Sequence, residues 1–376
     1  MIFFDNASTT RTDESCHDII KKYCFENFYN PSAPYHNAIS VKNDIKEARE
    51  KILRALNGED GRLVFTSSGT ESDNMALFGA PKRKYSRIVI SASEHPAIMN
   101  TAMELSQRGY EVVAAEVDEC GRVIPEKFFN LITNDTSLIS IMHVNNETGG
   151  INDIRKLCHI AKSIKKDILF HSDGVQAFGK IPVDVKELGV DFYSISSHKI
   201  NAPKGCGALY IKRGVSVQPI IFGGGQEMNL RSSTENIAAI ISFAHMAMRK
   251  TQNLYDNLNQ IAALKKHLYD NLPYDERVIK ISDENCSPYI IRLALKDVKG
   301  EVMLHALEKH GIMIGTGSAC SSSKPIKSWK TAFLPQEYKN GLLRISFCTD
   351  NTIEQIDYFI KRLNLEYSEL IKYARG

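Results

Sequence analysis

The sequence lacks several features that mark whole classes of protein. None of its eight cysteines forms a C-x-x-C pair, so a zinc site of the usual spacing is not expected. No stretch approaches the roughly 20 apolar residues of a membrane span, and no dense run of lysine and arginine suggests a nucleic-acid surface. We therefore expect no metal, no membrane contact and no direct nucleic-acid binding.

The N-terminus has neither the basic region nor the long apolar stretch of a signal peptide. The cysteines are scattered through a chain of 376 residues, which argues against a disulfide scaffold and favours a reducing compartment. The net charge of +3 is too small to indicate a strongly charged partner. These features predict a folded protein of the cytoplasm.

The middle of the chain alternates between strand-like and helix-like segments. Helical spacing of apolar residues predicts helices at 40–56 and 153–164. Short apolar runs indicate buried strands at 62–66, 87–91, 111–117, 137–144, 168–172, 191–196 and 208–212. This alternation is typical of an α/β fold, in which helices cover both faces of a mostly parallel sheet.

The last third of the chain has a different pattern. Residues 234–272 contain few helix breakers and predict one long helix or two consecutive helices. Beyond them, strands are indicated at 277–281, 289–295 and 342–347, and helices at 301–310 and 352–373. We predict a large domain at 15–255 and a smaller α+β domain at 256–376, to which residues 1–14 also belong.

A lysine at the end of a predicted strand is the first candidate for chemistry. The stretch 194–209 runs from a strand through Ser196, His198 and Lys199 into a Pro/Gly turn. Functional clefts of such sheets open at the carboxyl ends of the strands. A lysine there suits a Schiff base and Ser196 could hold a phosphate, although a lone lysine is usually a solvated surface residue.

Two further clusters lie at strand ends. Asp173 directly follows an apolar strand, where it either caps a helix or directs a carboxylate into the cleft. Such a carboxylate would keep the pyridine nitrogen of pyridoxal phosphate protonated. Residues 66–74, TSSGTESDN, lead from a strand into a helix; they form either an anion-binding turn or an ordinary cap.

Together these motifs resemble the NifS/IscS-type cysteine desulfurases, which are fold-type I pyridoxal-phosphate enzymes of the class-V aminotransferase family. The resemblance covers nearly the whole chain. It includes, in order, FFDNASTT at 3–10, SSGTESDN at 67–74, SEHPAI at 93–98, HVNNETG at 143–149, HSDGVQAFGK at 171–180, SSHKINAPKGCGALY at 196–210, GGGQEMNLRSSTEN at 223–236, GSACSS at 317–322 and LRISF at 343–347.

The resemblance implies a role for each matching residue. Lys199 would carry the cofactor, Asp173 would pair with its pyridine nitrogen, and His95 would stack on its ring and assist proton transfer. Arg344 would bind the substrate carboxylate, a task suited to a planar guanidinium. The remaining contacts to the cofactor would come from Asn146 and Gln176 at the phenolic oxygen, from Gly69, Thr70, Ser196 and His198 at the phosphate, and from Thr234 of a neighbouring subunit in a homodimer.

Cys320 matches the nucleophile of the family. Its Gly and Ser neighbours at 315–323 predict a loop, although a lone cysteine is most often a small buried hydrophobe. The implied reaction converts L-cysteine to L-alanine and leaves a persulfide on Cys320. Cys206, although close to Lys199 in sequence, has no counterpart in the family's chemistry, and we interpret it as a packing residue.

The resemblance leaves the acceptor of the sulfur open. It could be an iron–sulfur scaffold or a tRNA-thiolation enzyme, since the stretch 324–340 departs from the family pattern. A selenocysteine lyase or another aminotransferase-like enzyme is the alternative within the fold. A catalytically silent scaffold that binds pyridoxal phosphate is the alternative of a different class.

Overall fold

The structure is a computed structural model that describes residues 1–273, 275–316 and 329–374. Its strands are β1 (Ile2–Phe4), β2 (Arg62–Thr66), β3 (Arg87–Ser91), β4 (Glu111–Ala115), β5 (Thr136–Ser140), β6 (Leu169–Asp173), β7 (Phe192–Ser196), β8 (Gly207–Ile211), β9 (Val278–Lys280), β10 (Ile290–Leu295), β11 (Ile312–Ile314) and β12 (Leu342–Ser346).

The helices connect and cover these strands. They are α1 (His17–Lys21), α2 (His36–Ala55), α3 (Gly69–Gly79), α4 (Pro96–Gln107), α5 (Pro125–Phe129), α6 (Ile154–Ile164), α7 (Val185–Leu188), α8 (Ile237–Gln252), α9 (Leu254–Asn271), α10 (Gly300–Glu308), α11 (Trp329–Ala332) and α12 (Ile353–Ala374). In the described part of the chain, no helix combines the length and the apolarity that crossing a bilayer requires.

A seven-stranded sheet in the order β2-β8-β7-β6-β5-β3-β4 forms the centre of the fold. Only β8 runs against the others, because it pairs antiparallel with both β7 and β2. The α/β fold with a mostly parallel sheet is therefore confirmed. Since the remaining six strands point the same way, their carboxyl ends meet at one edge.

Both faces of this sheet are buried, because successive side chains of a strand point to opposite sides. Leu63 and Phe65 of β2 belong to the core cluster beneath α2 and α8, whereas Val64 belongs to the cluster on the other face. This explains why the central strands are continuous apolar runs rather than alternating patterns.

Two smaller sheets complete the fold. Strands β12, β10 and β9 form an antiparallel sheet, and β1 pairs parallel with β11. A separate buried cluster unites Phe4 of β1 with side chains of α9, α10 and α12. The predicted helical region after residue 234 proves to be two helices, which break at Asn253.

The strands predicted at 111–117 and 137–144 ended too late, since β4 stops at Ala115. The run at 137–144 is apolar to its end, but the strand β5 stops at Ser140. Beyond it, side chains satisfy the backbone of Met142: its N–H donates to Glu94 Oε1 at 2.7 Å, and its carbonyl accepts from Asn152 Nδ2 at 2.8 Å. On the other side, the N–H groups of Ile141 and His143 still donate to the carbonyls of His171 and Asp173 in β6, at 3.1 Å and 2.8 Å. Asn146 is thus carried to the edge of the sheet beside Asp173.

Phe4 provides a test of how the N-terminal strand stabilises the fold. Its ring is fully buried, with ring centroids 5.2 Å from Phe347 and 5.9 Å from Phe359. We expect Phe4→Ala to lower the free energy of unfolding by about 3–5 kcal/mol, because it removes a buried aromatic ring and leaves a cavity. Urea unfolding measures this loss.

The control for this substitution is Phe129→Ala, because Phe129 is 53% exposed. Its loss should change the stability by no more than about 0.5 kcal/mol. Equal effects of the two substitutions would show that β1 does not contribute to the core in the way described.

Candidate active site

A cavity of about 640 Å³ opens at the carboxyl edge of the central sheet. Segments that follow β2, β3, β5, β6 and β7 supply most of its wall, and β11 and β12 of the smaller sheets close the other side. Ten of the predicted site residues line it, namely Gly69, Thr70, His95, Asn146, Asp173, Gln176, Ser196, His198, Lys199 and Arg344. The structure thus brings together residues that are separated by up to 275 positions in the sequence.

Lys199 lies in a turn of 3-10 helix, Ser197–Lys199, that begins directly after β7. Its Nζ donates hydrogen bonds of 2.6 Å to the carbonyls of Ala7 and Ser8. Burial lowers the pKa of Lys199 to about 8, and the charge of Arg344 acts in the same direction. About a tenth of this amine is therefore neutral at pH 7, far more than for an ordinary lysine, and a nucleophilic or basic lysine requires the neutral form.

Asp173 ends β6 and lies at the base of the cavity. It is 5% exposed, and its Oδ1 accepts a hydrogen bond of 2.9 Å from the Val175 N–H. Burial raises the pKa of Asp173, whereas His95 and Lys199 lower it. A buried carboxylate of this kind favours a cationic partner, because an opposite charge stabilises its ionised form.

Gln176 lies three residues beyond Asp173 and is 4% exposed. Its Nε2 donates to the carbonyl of Ala7 at 2.8 Å, and its Oε1 accepts from Lys180 Nζ at 2.8 Å. Both ends of the amide are therefore held by other side chains or backbone groups.

The opposite end of the cavity is suited to an anion. Ser68 caps α3 by accepting the Glu71 N–H at 3.2 Å, and Ser68, Gly69 and Thr70 line the cavity. The N–H groups of a first helical turn favour an anion. Ser196 Oγ is buried and has no hydrogen-bond partner among the described residues. A Cβ at Gly69 would lie 2.6 Å from Val175, which explains why glycine occupies this turn.

His95 begins α4, where its Nδ1 accepts the Ala97 N–H at 3.2 Å. The neutral ring must therefore carry its proton on Nε2. Burial lowers the pKa of His95, although Asp173 opposes the shift, so the neutral ring is favoured. His95 can consequently offer a flat ring face and one N–H donor to a molecule in the cavity.

Arg344 enters the cavity from β12. Its guanidinium donates to the Asn146 carbonyl at 2.9 Å and to Asp5 Oδ1 at 2.7 Å. Its buried Nε has no hydrogen-bond partner within the described residues. This arrangement fixes the plane of the guanidinium and leaves a donor for a carboxylate.

Several residues of this wall were missed by the sequence analysis. Asp5 pairs with Arg344, and Glu147 forms an ion pair of 2.7 Å with the buried Arg292 and one of 3.3 Å with Lys330. Asp5 lies in the motif FFDNASTT and Glu147 in HVNNETG, so their place in these motifs could have identified them as site residues. Their partners, however, are 145 or more positions away and cannot be read from local spacing.

Two predicted residues are not among the described residues that line the cavity. Thr234 is exposed and does not line it. Cys320 lies outside the described residues; the described chain continues at Trp329, whose ring faces Gly121. Cys206 is buried in the core, as expected of a packing residue, and burial raises its pKa.

One cluster elsewhere was not foreseen from cysteine spacing. Cys120, Asp283 and Cys286 have potential ligand atoms within 4.8 Å of one another. The Asp283 carboxylate already accepts Arg122 at 2.6 Å and 3.2 Å, so its charge is neutralised by the protein. The cluster therefore connects the loop after β4 to the loop before β10.

Comparison with known proteins identifies the family. The model of class-V aminotransferases matches residues 2–359. The chain belongs to this family. It is 36% identical to the cysteine desulfurase IscS of Clostridium botulinum, over 96% of this chain and 93% of the relative, and 33% identical to NifS of Azotobacter vinelandii, over 96% and 91%.

Solved structures agree with this assignment. A NifS-like protein superimposes with a TM-score of 0.91 at 32% identity, covering 98% of this chain and all of the other. A NifS-like protein from Rickettsia africae superimposes with a TM-score of 0.88 at 30% identity, covering 98% and 99%. The resemblance noted in the motifs therefore extends to the whole fold.

Members of this family are pyridoxal-phosphate enzymes, and the cavity fits that cofactor. Ser196 Oγ, buried without a partner in the described chain, and the first turn of α3 match a phosphate. Asp173 would suit a protonated pyridine nitrogen, and Lys199 would offer an amine for a covalent link.

Ser196 and Ser197 allow a matched test of this fit. The Ser197 hydroxyl donates to the carbonyls of Pro203 and of Cys206, whereas that of Ser196 has no partner in the described chain. We expect Ser196→Ala to weaken cofactor binding roughly 10-fold to 100-fold, because it removes a hydrogen bond to a charged group. The apoprotein should keep its stability.

Ser197→Ala should instead lower the stability of the apoprotein and change the cofactor affinity little. It leaves the Pro203 carbonyl without the Ser197 hydroxyl and removes one of the two hydrogen bonds to the Cys206 carbonyl, which keeps the Ser197 N–H. We therefore expect it to lower the free energy of unfolding by about 1–3 kcal/mol. Fluorescence titration with pyridoxal phosphate and thermal unfolding of the apoproteins separate the two effects. Equal cofactor affinity in wild type and Ser196→Ala would contradict the placement of the phosphate.

Proposed function

We propose that the protein is a cysteine desulfurase that converts L-cysteine to L-alanine and transfers the sulfur to Cys320. The observation that carries the proposal is the single cavity that contains Lys199, Asp173, His95 and Arg344. Its relatives from Clostridium botulinum and Azotobacter vinelandii bear the name cysteine desulfurase, which supports the same activity.

Arg344 binds the carboxylate of the substrate. Asp5 and the Asn146 carbonyl hold its guanidinium in one orientation, and its Nε is available as a donor. The neighbouring carboxylate of Glu147 does not repel the substrate, because Arg292 and Lys330 neutralise it. The amino acid is thereby oriented by its carboxylate end.

Pyridoxal phosphate, when bound to Lys199, Asp173, Gln176 and the turn at Gly69, supplies an electron sink for the substrate carbon. With the substrate bound in the cavity, the free amine of Lys199 removes the proton from that carbon. A pKa of about 8 suits this role, since the free amine is a usable base near neutral pH. His95, with its proton on Nε2, covers the site and assists the transfer.

The sulfur step requires a thiol, and we assign it to Cys320. Its thiolate takes the sulfur of L-cysteine, and a carbon–hydrogen bond replaces the broken carbon–sulfur bond. The products are L-alanine and a persulfide on Cys320, so atoms and electrons balance without a further reductant. The Glu147 carboxylate forms an ion pair with Lys330. Lys330 directly follows Trp329 and is close in sequence to Cys320.

The protein passes the persulfide sulfur to an acceptor, for which we propose an iron–sulfur scaffold or a tRNA-thiolation enzyme. We also propose a cytoplasmic location, supported by the free cysteines of the described chain. The division into domains at 15–255 and 256–376, with residues 1–14 in the smaller one, is supported by the separate cluster around Phe4.

We further propose that the enzyme is a homodimer in which Thr234 reaches the phosphate in the neighbouring subunit. Thr234 is exposed in the single chain. Large hydrophobic side chains are exposed on two segments as well, with Phe25 at 76%, Phe28 at 63% and Phe222 at 80%. Exposed apolar surface of this extent is typical of a surface that a second protein chain covers.

The activity is tested on wild type and Cys320→Ala. Both proteins should bind pyridoxal phosphate and develop its visible absorption band, because Cys320 is not assigned to the cofactor. With L-cysteine and a thiol reductant, only the wild type should produce sulfide and alanine. Production by the variant should fall at least 100-fold, since no other thiol is assigned to the sulfur step.

Each other outcome of this assay contradicts one part of the proposal. A wild type that develops no band with the cofactor contradicts the assignment of the cavity. A fully active Cys320→Ala contradicts the assignment of the nucleophile. Faster turnover of selenocysteine than of cysteine would favour a selenocysteine lyase.

The dimer is tested by sedimentation of the wild type and of Phe222→Asp. The wild type should sediment at twice the chain mass of 42.2 kDa. The charged substitution should weaken association, because it places a carboxylate in an apolar contact. A wild type that remains monomeric at micromolar concentration contradicts the shared active site.

A further inference from the structure

Lys180 is a buried lysine that the assigned chemistry does not use. Only 6% of its surface is exposed, and its Nζ donates a hydrogen bond of 2.8 Å to Gln176 Oε1. Burial lowers the pKa of Lys180 to about 7, and the charges of Lys199, Lys250 and Arg344 act in the same direction. A buried amine with such an unfavourable environment requires an explanation.

The contacts of Gln176 explain why an amine is buried at this position. An amide can be turned by 180° to exchange its oxygen and nitrogen, so only its partners decide which atom faces which way. A lysine side chain has donors when charged, and the carbonyl of Ala7 is an acceptor only. Lys180 therefore holds the oxygen, Ala7 holds one N–H, and the second N–H of Gln176 is left for the cavity.

We propose that Lys180 is a positioning residue that keeps Gln176 as a hydrogen-bond donor to the phenolic oxygen of the cofactor. The inference rests on the proposed function, in which Gln176 contacts that oxygen. A donor there stabilises the anionic form of the oxygen, whereas a reversed amide would direct a lone pair at it. Lys180 touches neither substrate nor cofactor in this role and acts through Gln176.

The position of Ala7 makes this support necessary. Its carbonyl accepts Gln176 Nε2 at 2.8 Å, but it also accepts Lys199 Nζ at 2.6 Å. The Ala7 carbonyl is thus shared between Gln176 and Lys199, whereas the contact of Lys180 is with the other end of the amide. Neutral Lys180 keeps N–H donors but gains a lone pair, so the donor-only charged form imposes the direction of the amide most strongly.

The test uses the holoenzyme and the pH midpoint of the cofactor's visible absorption. Lys180→Met keeps the length of the side chain and removes the donor. We expect it to raise the midpoint by about 0.5–1 pH unit, because one hydrogen bond that favoured the anionic oxygen is weakened. Lys180→Arg, which retains a donor, should restore part of the shift.

Loss of a positive charge alone would also raise the midpoint, and two controls separate this effect. Lys250→Met removes a neighbouring charge that acts on Lys180 but leaves the Gln176 amide in place. Lys180→Met is also measured in a Gln176→Met background. If Lys180 acts through Gln176, its effect should disappear there, because the two effects are then not additive.

The outcomes distinguish this inference from the proposed function. A wild type without the visible band contradicts the function itself. A normal wild-type band with a Lys180→Met shift that persists in the Gln176→Met background, or that equals the Lys250→Met shift, overturns the positioning role alone. If circular dichroism shows that Lys180→Met does not fold, the same additivity criterion is applied to Lys180→Gln.

Discussion

The rest of the site depends on the hydrogen bonds that the segment from Asp5 to Thr10 makes with it. The carbonyls of Ala7 and Ser8 accept the amine of Lys199, and the Asp5 carboxylate pairs with Arg344. Thr10 also binds the His198 carbonyl through its backbone N–H and its hydroxyl, both at 2.9 Å. One short stretch thus connects the lysine of the large sheet to the arginine of a small one.

Burial of charge in this cavity explains its protonation states. Lys199, Lys180 and Arg344 are cationic groups in a poorly solvated region, so burial and mutual repulsion lower the pKa of both lysines. Asp173 responds in the opposite direction, and its pKa is raised by burial. A lysine with a lowered pKa and a buried carboxylate would be the complementary groups for a protonated pyridine ring with an aldehyde.

Much of the fold was predictable because it follows from local periodicity. The runs that became β2 and β3 were predicted at their observed bounds, since both are apolar and end at small polar residues. Strand β5 was predicted too long, because the side chains of Glu94 and Asn152 take the backbone hydrogen bonds of Met142, although Ile141 and His143 still donate to β6. No local pattern indicates a partner that lies tens of residues away.

The sequence by itself determined the order of strands and helices, the family resemblance and the identity of the residues that can do chemistry, including Lys199 and Asp173. Tertiary structure decided which of these residues share a cavity, that Asp5 restrains Arg344, and that Lys180 fixes the direction of the Gln176 amide. The physical reason is that periodicity and motif are properties of neighbours along the chain. Protonation and hydrogen-bond direction depend instead on distance and burial in space, which exist only after the chain has folded.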